Sequence, residues 1–152
     1  MAKLIIPLTA FMIPKRNKQG VVNSVKITLN EWIDIHGVKK GVGRRIAASY
    51  KSRIQAKIMP YVAQAMVDGL PPIDKDTKFH FSWYFPDRRT DLDNWTFTHK
   101  FIFDAFQASS VRGRVFMPND NLKYVVATYD DFMGVDKNNP RVEIDWSNED
   151  GG

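Results

Sequence analysis

The sequence predicts an α+β fold: a mixed β-sheet covered by two main helices, with a basic hairpin arm near the N-terminus. Three observations carry that expectation. Strand-like and helix-like stretches follow one another irregularly, in the order strand, hairpin arm, helix, strand, helix, strand, strand. Residues 44–67 keep an apolar period of a helix over some six turns, through Ile46, Ala47, Tyr50, Ile54, Ile58, Val62 and Met66. The stretch "TKFHFSWYF" alternates instead, and puts Phe79, Phe81, Trp83 and Phe85 on one face of a strand.

The elements follow in order. "KLIIPLTAFMI" reads as a first strand ended by Pro14. "PKRNKQG" is turn-rich and basic, the tip of a hairpin whose return arm is "VVNSVKI". Thr28 precedes Glu31 by three residues, the spacing of a capping box, and opens a short helix at "LNEWIDI". Gly37, Gly41 and Gly43 interrupt it before the long helix, which Pro60 is expected to bend or break. Lys51, Arg53 and Lys57 lie off the apolar stripe of that helix. "DGLPPIDKD" is a loop, and the alternating strand comes next. "NWTFTHKFIFDAFQAS" reads as the second helix, with Trp95, Ile102, Phe103 and Phe106 facing inward. "SVRGRVFMPNDN" is a loop, "LKYVVATYDDF" a strand, "GVDKNNP" a turn and "RVEIDWS" the last strand. The reading is a single domain over residues 1–147 with a frayed, disordered tail at 148–152.

Composition bounds the function. The chain has 152 residues, enough for one domain with a substantial core. It has no cysteine, which excludes disulfides, thiolate metal sites and thiol catalysis. No apolar run approaches membrane-span length, and the N-terminus lacks the long apolar region and small-residue cleavage site of a signal peptide. No membrane partner is expected, and the absence of cysteine is neutral about compartment. Charge is uneven. Residues 1–57 hold twelve Lys/Arg and two acids, whereas residues 58–152 hold ten Lys/Arg and fifteen acids. The basic half suits a polyanion such as nucleic acid; a solvated helix face balanced elsewhere in the fold is the plainer reading.

The densest chemistry lies in "PDRRTDLDNW", residues 86–95. Asp91 and Asp93 fall between a strand end and a helix start. In extended backbone their side chains share one side, where two carboxylates can take a hard divalent cation. Asp120, in "MPNDN", is a third acid that the fold can bring in. The competing reading is a helix cap, because Thr90 and Asp93 also have capping-box spacing and an Asp at a helix start is favoured by the helix dipole. The two are compatible, since a capping carboxylate keeps one oxygen free. Asp104 reads as an i,i+4 partner of Lys100, and His99 as an exposed or partly packed histidine rather than a ligand.

Taken together, "PDRRTDLDNW", "KFIFDAF", a Gly-containing loop and "FMPND" resemble the RusA family of Holliday junction resolvases, endonucleases of phages and prophages. The resemblance covers residues 86–122. It implies a homodimeric, Mg²⁺-dependent endodeoxyribonuclease, with Mn²⁺ as a possible substitute metal, that resolves four-way junctions in recombination and repair by paired symmetric nicks. It also implies a bacterial host cytoplasm as the setting. Asp91 and Asp93 match the family's D-L-D-N aspartates, Asp120 the second acid of its later acidic pair, and Lys100 its helix lysine. Two positions depart: Asn119 stands where the family pair often has a first Asp, and Lys100 follows Asp93 by seven residues rather than by about one turn.

On this reading Asp91, Asp93 and Asp120 are metal ligands, and with Lys100 they form the catalytic set. Arg88 and Arg89 grip neighbouring phosphates or offset the acids. Lys15, Arg16, Lys18, Lys39, Lys40, Arg44 and Arg45 track the DNA arms through phosphate contacts. A two-fold symmetric junction suits a two-fold dimer. The alternatives are a nuclease for flaps or forks with the same site, and a catalytically impaired DNA-binding phage accessory protein.

Overall fold

A computed structural model of the chain describes residues 3–26, 28, 32 and 42–148. Four strands make the central sheet: β1 (Lys3–Pro7), β4 (Thr77–Phe85), β7 (Val125–Val135) and β8 (Arg141–Asn148). Their order is β1-β8-β4-β7, antiparallel except for the parallel pair β4 and β7. A parallel pair needs a crossover. Here α2 (Asp93–Thr96) and α3 (His99–Ala108) supply it. Strands β2 (Met12–Arg16) and β3 (Val22–Lys26) form the separate hairpin, and α1 spans Val42–Val67. The sheet is mixed and the class is α+β, as the sequence predicts.

The alternation in β4 explains the core. Phe79, Phe81, Trp83 and Phe85 are all buried, beside Leu4 and Ile6 of β1 and Val142 and Ile144 of β8. Helix α3 lays Phe103 and Phe106 onto Phe79, with ring centroids 5.3 and 6.2 Å apart. Helix α1 buries Ala47, Ile54, Ile58 and Val62 against α3, β1 and the 3-10 turn Leu8–Phe11. Each fully buried Phe contributes about 1.5–3 kcal/mol, so this aromatic layer outweighs any single surface ion pair. The opposite sheet face is polar and more open. His80 there reaches Asp131 (2.7 Å) and Asp145 (3.5 Å).

Several expectations need correction. The first strand is two strands: the 3-10 turn, with Leu8, Ala10 and Phe11 buried, carries the chain from the sheet into the hairpin. Pro14 does not end it but sits within β2. A two-stranded hairpin leaves one backbone edge unpaired, so a residue lacking N–H is tolerated. Helix α1 runs through Pro60 unbroken. Ile46 is exposed, off the buried stripe. The second helix is divided, with Phe97 and Thr98 between α2 and α3; the buried Thr98 hydroxyl bonds the Trp95 carbonyl instead of leaving the helix bond to continue. The expected loop at 110–121 begins with a small hairpin, β5 (Ser110–Val111) and β6 (Arg114–Val115). Asn148, the first residue of the expected tail at 148–152, instead ends β8; the rest of that tail and the expected helix at "LNEWIDI" lie outside the described residues, apart from Trp32. Its amide donates to the Thr28 carbonyl (3.0 Å), an i→i−4 bond, and its ring packs edge-on to Phe101 at 5.1 Å.

Candidate active site

Asp91 and Asp93 stand after β4 and at the start of α2, but Leu92 between them is helical (φ −61°, ψ −37°) rather than extended, so the expectation that the two side chains share one side of an extended strand does not hold. Both are exposed. The capping reading fails here: the residue before α2 is Leu92, and no side chain caps the helix. The Thr90 hydroxyl is used otherwise, accepting from the Trp95 indole N–H (3.1 Å) and donating weakly to the Asp91 carbonyl (3.4 Å). Among the described residues neither carboxylate has a hydrogen-bond or ion-pair partner. Two uncompensated carboxylates two residues apart repel, and nothing in the local backbone uses them.

The arginines do not offset these acids. Arg89 pairs with Asp87 (3.3 Å), whose carboxylate also accepts the Arg89 amide (2.8 Å). Its side chain is 91% exposed. Arg88 lies over the Phe132 ring at 4.8 Å and lines a cleft of about 230 Å³ with Phe85, Thr90 and Asp91. Both guanidinium groups are therefore placed by neighbours other than Asp91 and Asp93.

Lys100 and Asp120 come together. Met117 donates its amide to the Phe106 carbonyl (3.3 Å), and the chain then runs back along α3. Six helical residues span about 9 Å and three extended ones about 10 Å, so Asp120 arrives level with Lys100. The ammonium lies 3.1 Å from Asp120 and 3.3 Å from Asp104, and Lys51 of α1 extends the chain to Asp104 at 3.4 Å. The Asp120 hydrogen bond, with the Asp104 charge, raises the Lys100 pKa above its ordinary value. Lys100 is thus a cation throughout the neutral range. Asn119 serves the turn: its side-chain oxygen accepts the Asn121 amide (3.1 Å). Among the described residues no three His, Asp or Glu side chains form a group able to hold a metal ion. Asp91, Asp93 and Asp120 are therefore not gathered into one cage.

Two sets of contacts escape sequence reasoning. The Lys26 ammonium, at the end of β3, donates to the Asn94 carbonyl and lies over the Trp95 ring (4.5 Å) and near Phe97 (4.9 Å). The basic hairpin is thereby anchored one residue from Asp93. His99 bonds Asp130 of β7 (2.8 Å), which also accepts the Trp83 indole N–H (2.7 Å), while the imidazole stacks on Phe81 at 4.1 Å. This network fixes the N-terminal end of α3 on the sheet. Arg16 and Lys18 are exposed on the hairpin, and Arg45 is exposed on α1. Lys39 and Lys40 lie outside the described residues, as do the side chains of Lys15 and Arg44. No protein-family model matches the chain, and no curated protein is significantly similar to it.

Proposed function

We propose that the protein is a RusA-type, Mg²⁺-dependent endonuclease that resolves four-way DNA junctions, acting as a homodimer. The observation that carries this reading is the pair of exposed carboxylates of Asp91 and Asp93, without partners among the described residues, beside an anchored basic hairpin. The donors suit the metal: they are oxygen only, and Mg²⁺ typically takes one or two protein carboxylates and completes its sphere with water and substrate phosphate. Asp91 and Asp93 are the acids free to hold it, whereas Asp120 is engaged by Lys100 and orients that lysine. Bound there, the ion supplies Lewis-acid stabilisation of charge on the scissile phosphate and the leaving oxygen.

The chain's own residues supply the rest. Lys100 is protonated at working pH, so it acts as a hydrogen-bond donor and positive charge toward a phosphate oxygen, not as a base. Asp104 and Lys51 hold it in place. Arg88 and Arg89 meet flanking phosphates, and Arg16 and Lys18 on the hairpin, with Arg45 on α1, extend the path along a DNA arm. Lys26 keeps hairpin and carboxylates in register.

A second reading has one observation in its favour. The Lys100–Asp120 pair occupies two of the four catalytic candidates. A DNA-binding accessory protein without chemistry fits that arrangement. The test uses a synthetic four-way junction, labelled on each strand in turn, beside flap and linear duplex controls, with Mg²⁺ or EDTA. Paired symmetric nicks that need Mg²⁺ and exceed those on the controls are expected. Equal cutting of flaps keeps the chemistry and overturns the substrate; tight binding with no cutting under any divalent ion leaves the accessory protein.

A further inference from the structure

The hairpin β5 and β6 carries an unusual arginine. Val111 pairs with Arg114, so Arg112 and Gly113 form a two-residue turn. Both have positive φ, 54° and 80°. That is the I′ pattern, which favours Asn-Gly because only Gly, Asn and Asp enter the left-handed region readily. Gly113 conforms and Arg112 does not; it is the one non-glycine residue at positive φ among those described. Pairing within the fold does not account for arginine here, because among the described residues its guanidinium makes no hydrogen bond or ion pair. Arg114, on the next strand, is exposed and equally unpaired. Both line an open cleft of about 400 Å³ beside Leu70 and Pro71. Asp74 lines the same cleft and pairs with neither of them.

We infer that Arg112 and Arg114 form a second phosphate-binding contact for DNA, at the far end of α3 from Lys100. This deepens the nuclease reading and rests on it. A strained backbone persists where the side chain it presents is used, and two unpaired guanidinium groups flanking a cleft suit the oxygens of a phosphodiester backbone. Helix α3 acts as the spacer. From Lys100 to Ala108 it rises about 12 Å, and phosphates along one strand advance about 3.4 Å each. A strand that follows α3 from Lys100 therefore passes the end of the helix three to four nucleotides further on and meets the arginines of the hairpin beyond that point.

The test is DNA binding over a range of salt concentrations, with the parent and with the double variant Arg112→Asn, Arg114→Gln. Asparagine keeps the I′ turn and removes the charge, so the Tm is expected to hold or rise. The slope of log K against log salt is expected to become shallower by about 2, near 0.9 for each lost phosphate contact. A neutral methylphosphonate moved stepwise outward from the third nucleotide beyond the incision site is expected to weaken the parent at one position and leave the double variant unaffected there. An unchanged slope overturns the inference, and so does a methylphosphonate effect that persists in the variant. A Tm lowered by Arg112→Asn with the slope unchanged assigns the arginine to the fold. A parent that nicks junctions while the variant keeps its slope defeats this inference alone; a parent that binds no DNA defeats both.

Discussion

Asp93 sits at the first position of α2 with its carboxylate bonded to nothing described, while Lys100, seven residues on, is held by two acids. That contrast defines the roles. A free carboxylate is available to a cation, and a paired lysine is a fixed charge. The Lys100 pKa is raised by Asp120 first and Asp104 second, so the ammonium persists from neutral pH up through its ordinary value of 10.5. The stability its pairs contribute is present below that value and lost as pH rises through the folded-state pKa. Lys100→Ala is accordingly expected to lower kcat about 100-fold by one lost electrostatic contact, by the same factor at pH 7 and pH 9, as a pH–rate profile of junction nicking will show. The i,i+4 pair of Lys100 with Asp104 is legible in the sequence because the spacing alone makes it. The Asp120 partner is twenty residues away; only the return of the chain along α3 brings it near, and no local pattern encodes that return.

Elements were legible where periodicity was strong. Strand β4 and helix α1 stand close to where the pattern puts them, because a long alternation and a long 3.6-residue repeat each bury one face. Breaks were not legible. The division between α2 and α3 depends on Thr98, buried at 1% exposure and turned back on Trp95, which is a tertiary outcome. Pro60 misleads in the other direction. Its ring sits on an exposed face of a helix anchored on either side by Ile58 and Val62, whose burial outweighs one lost backbone bond. Pro60→Ala restores that bond and is expected to stabilise the protein by about 2 kcal/mol, readable as a raised midpoint in urea. On the open sheet face, Glu143 accepts from Lys3 and from Arg141 (2.6 Å). Burial pushes its carboxyl up, but these two hydrogen bonds more than reverse that and leave it below the ordinary value of 4.5. A lowered carboxylate pKa contributes stability above that ordinary value and loses it as pH falls through the folded-state value. Glu143→Gln is thus expected to cost about 2 kcal/mol at neutral pH, with the difference from the parent closing as acid unfolding is followed below pH 4.5.

At the scale of the molecule, the uneven charge of the sequence acquires a geometry. The basic first third contributes the hairpin and α1, and Lys26 fastens the hairpin to the segment that carries the aspartates. On the nuclease reading, a polyanion that follows the hairpin is led toward Asp91 and Asp93. The fold class, the sheet's mixed character and the position of the two aspartates were all readable beforehand. The clamp was not, since Lys26 and Asn94 are 68 residues apart and one of the bonding groups is a backbone carbonyl. The mixed sheet matters here too: the parallel crossover from β4 to β7 sets Asp91 and Asp93 and the start of α3 in one connection. The measurement that bears most directly on the nuclease reading is cleavage and binding of one four-way junction by the parent and by Asp93→Asn, with Mg²⁺ and with EDTA. We expect Mg²⁺-dependent incision by the parent, its loss by at least about 100-fold in the variant, and junction affinity retained. Incision by Asp93→Asn at the parent's rate, or none by the parent under any divalent ion, would contradict it.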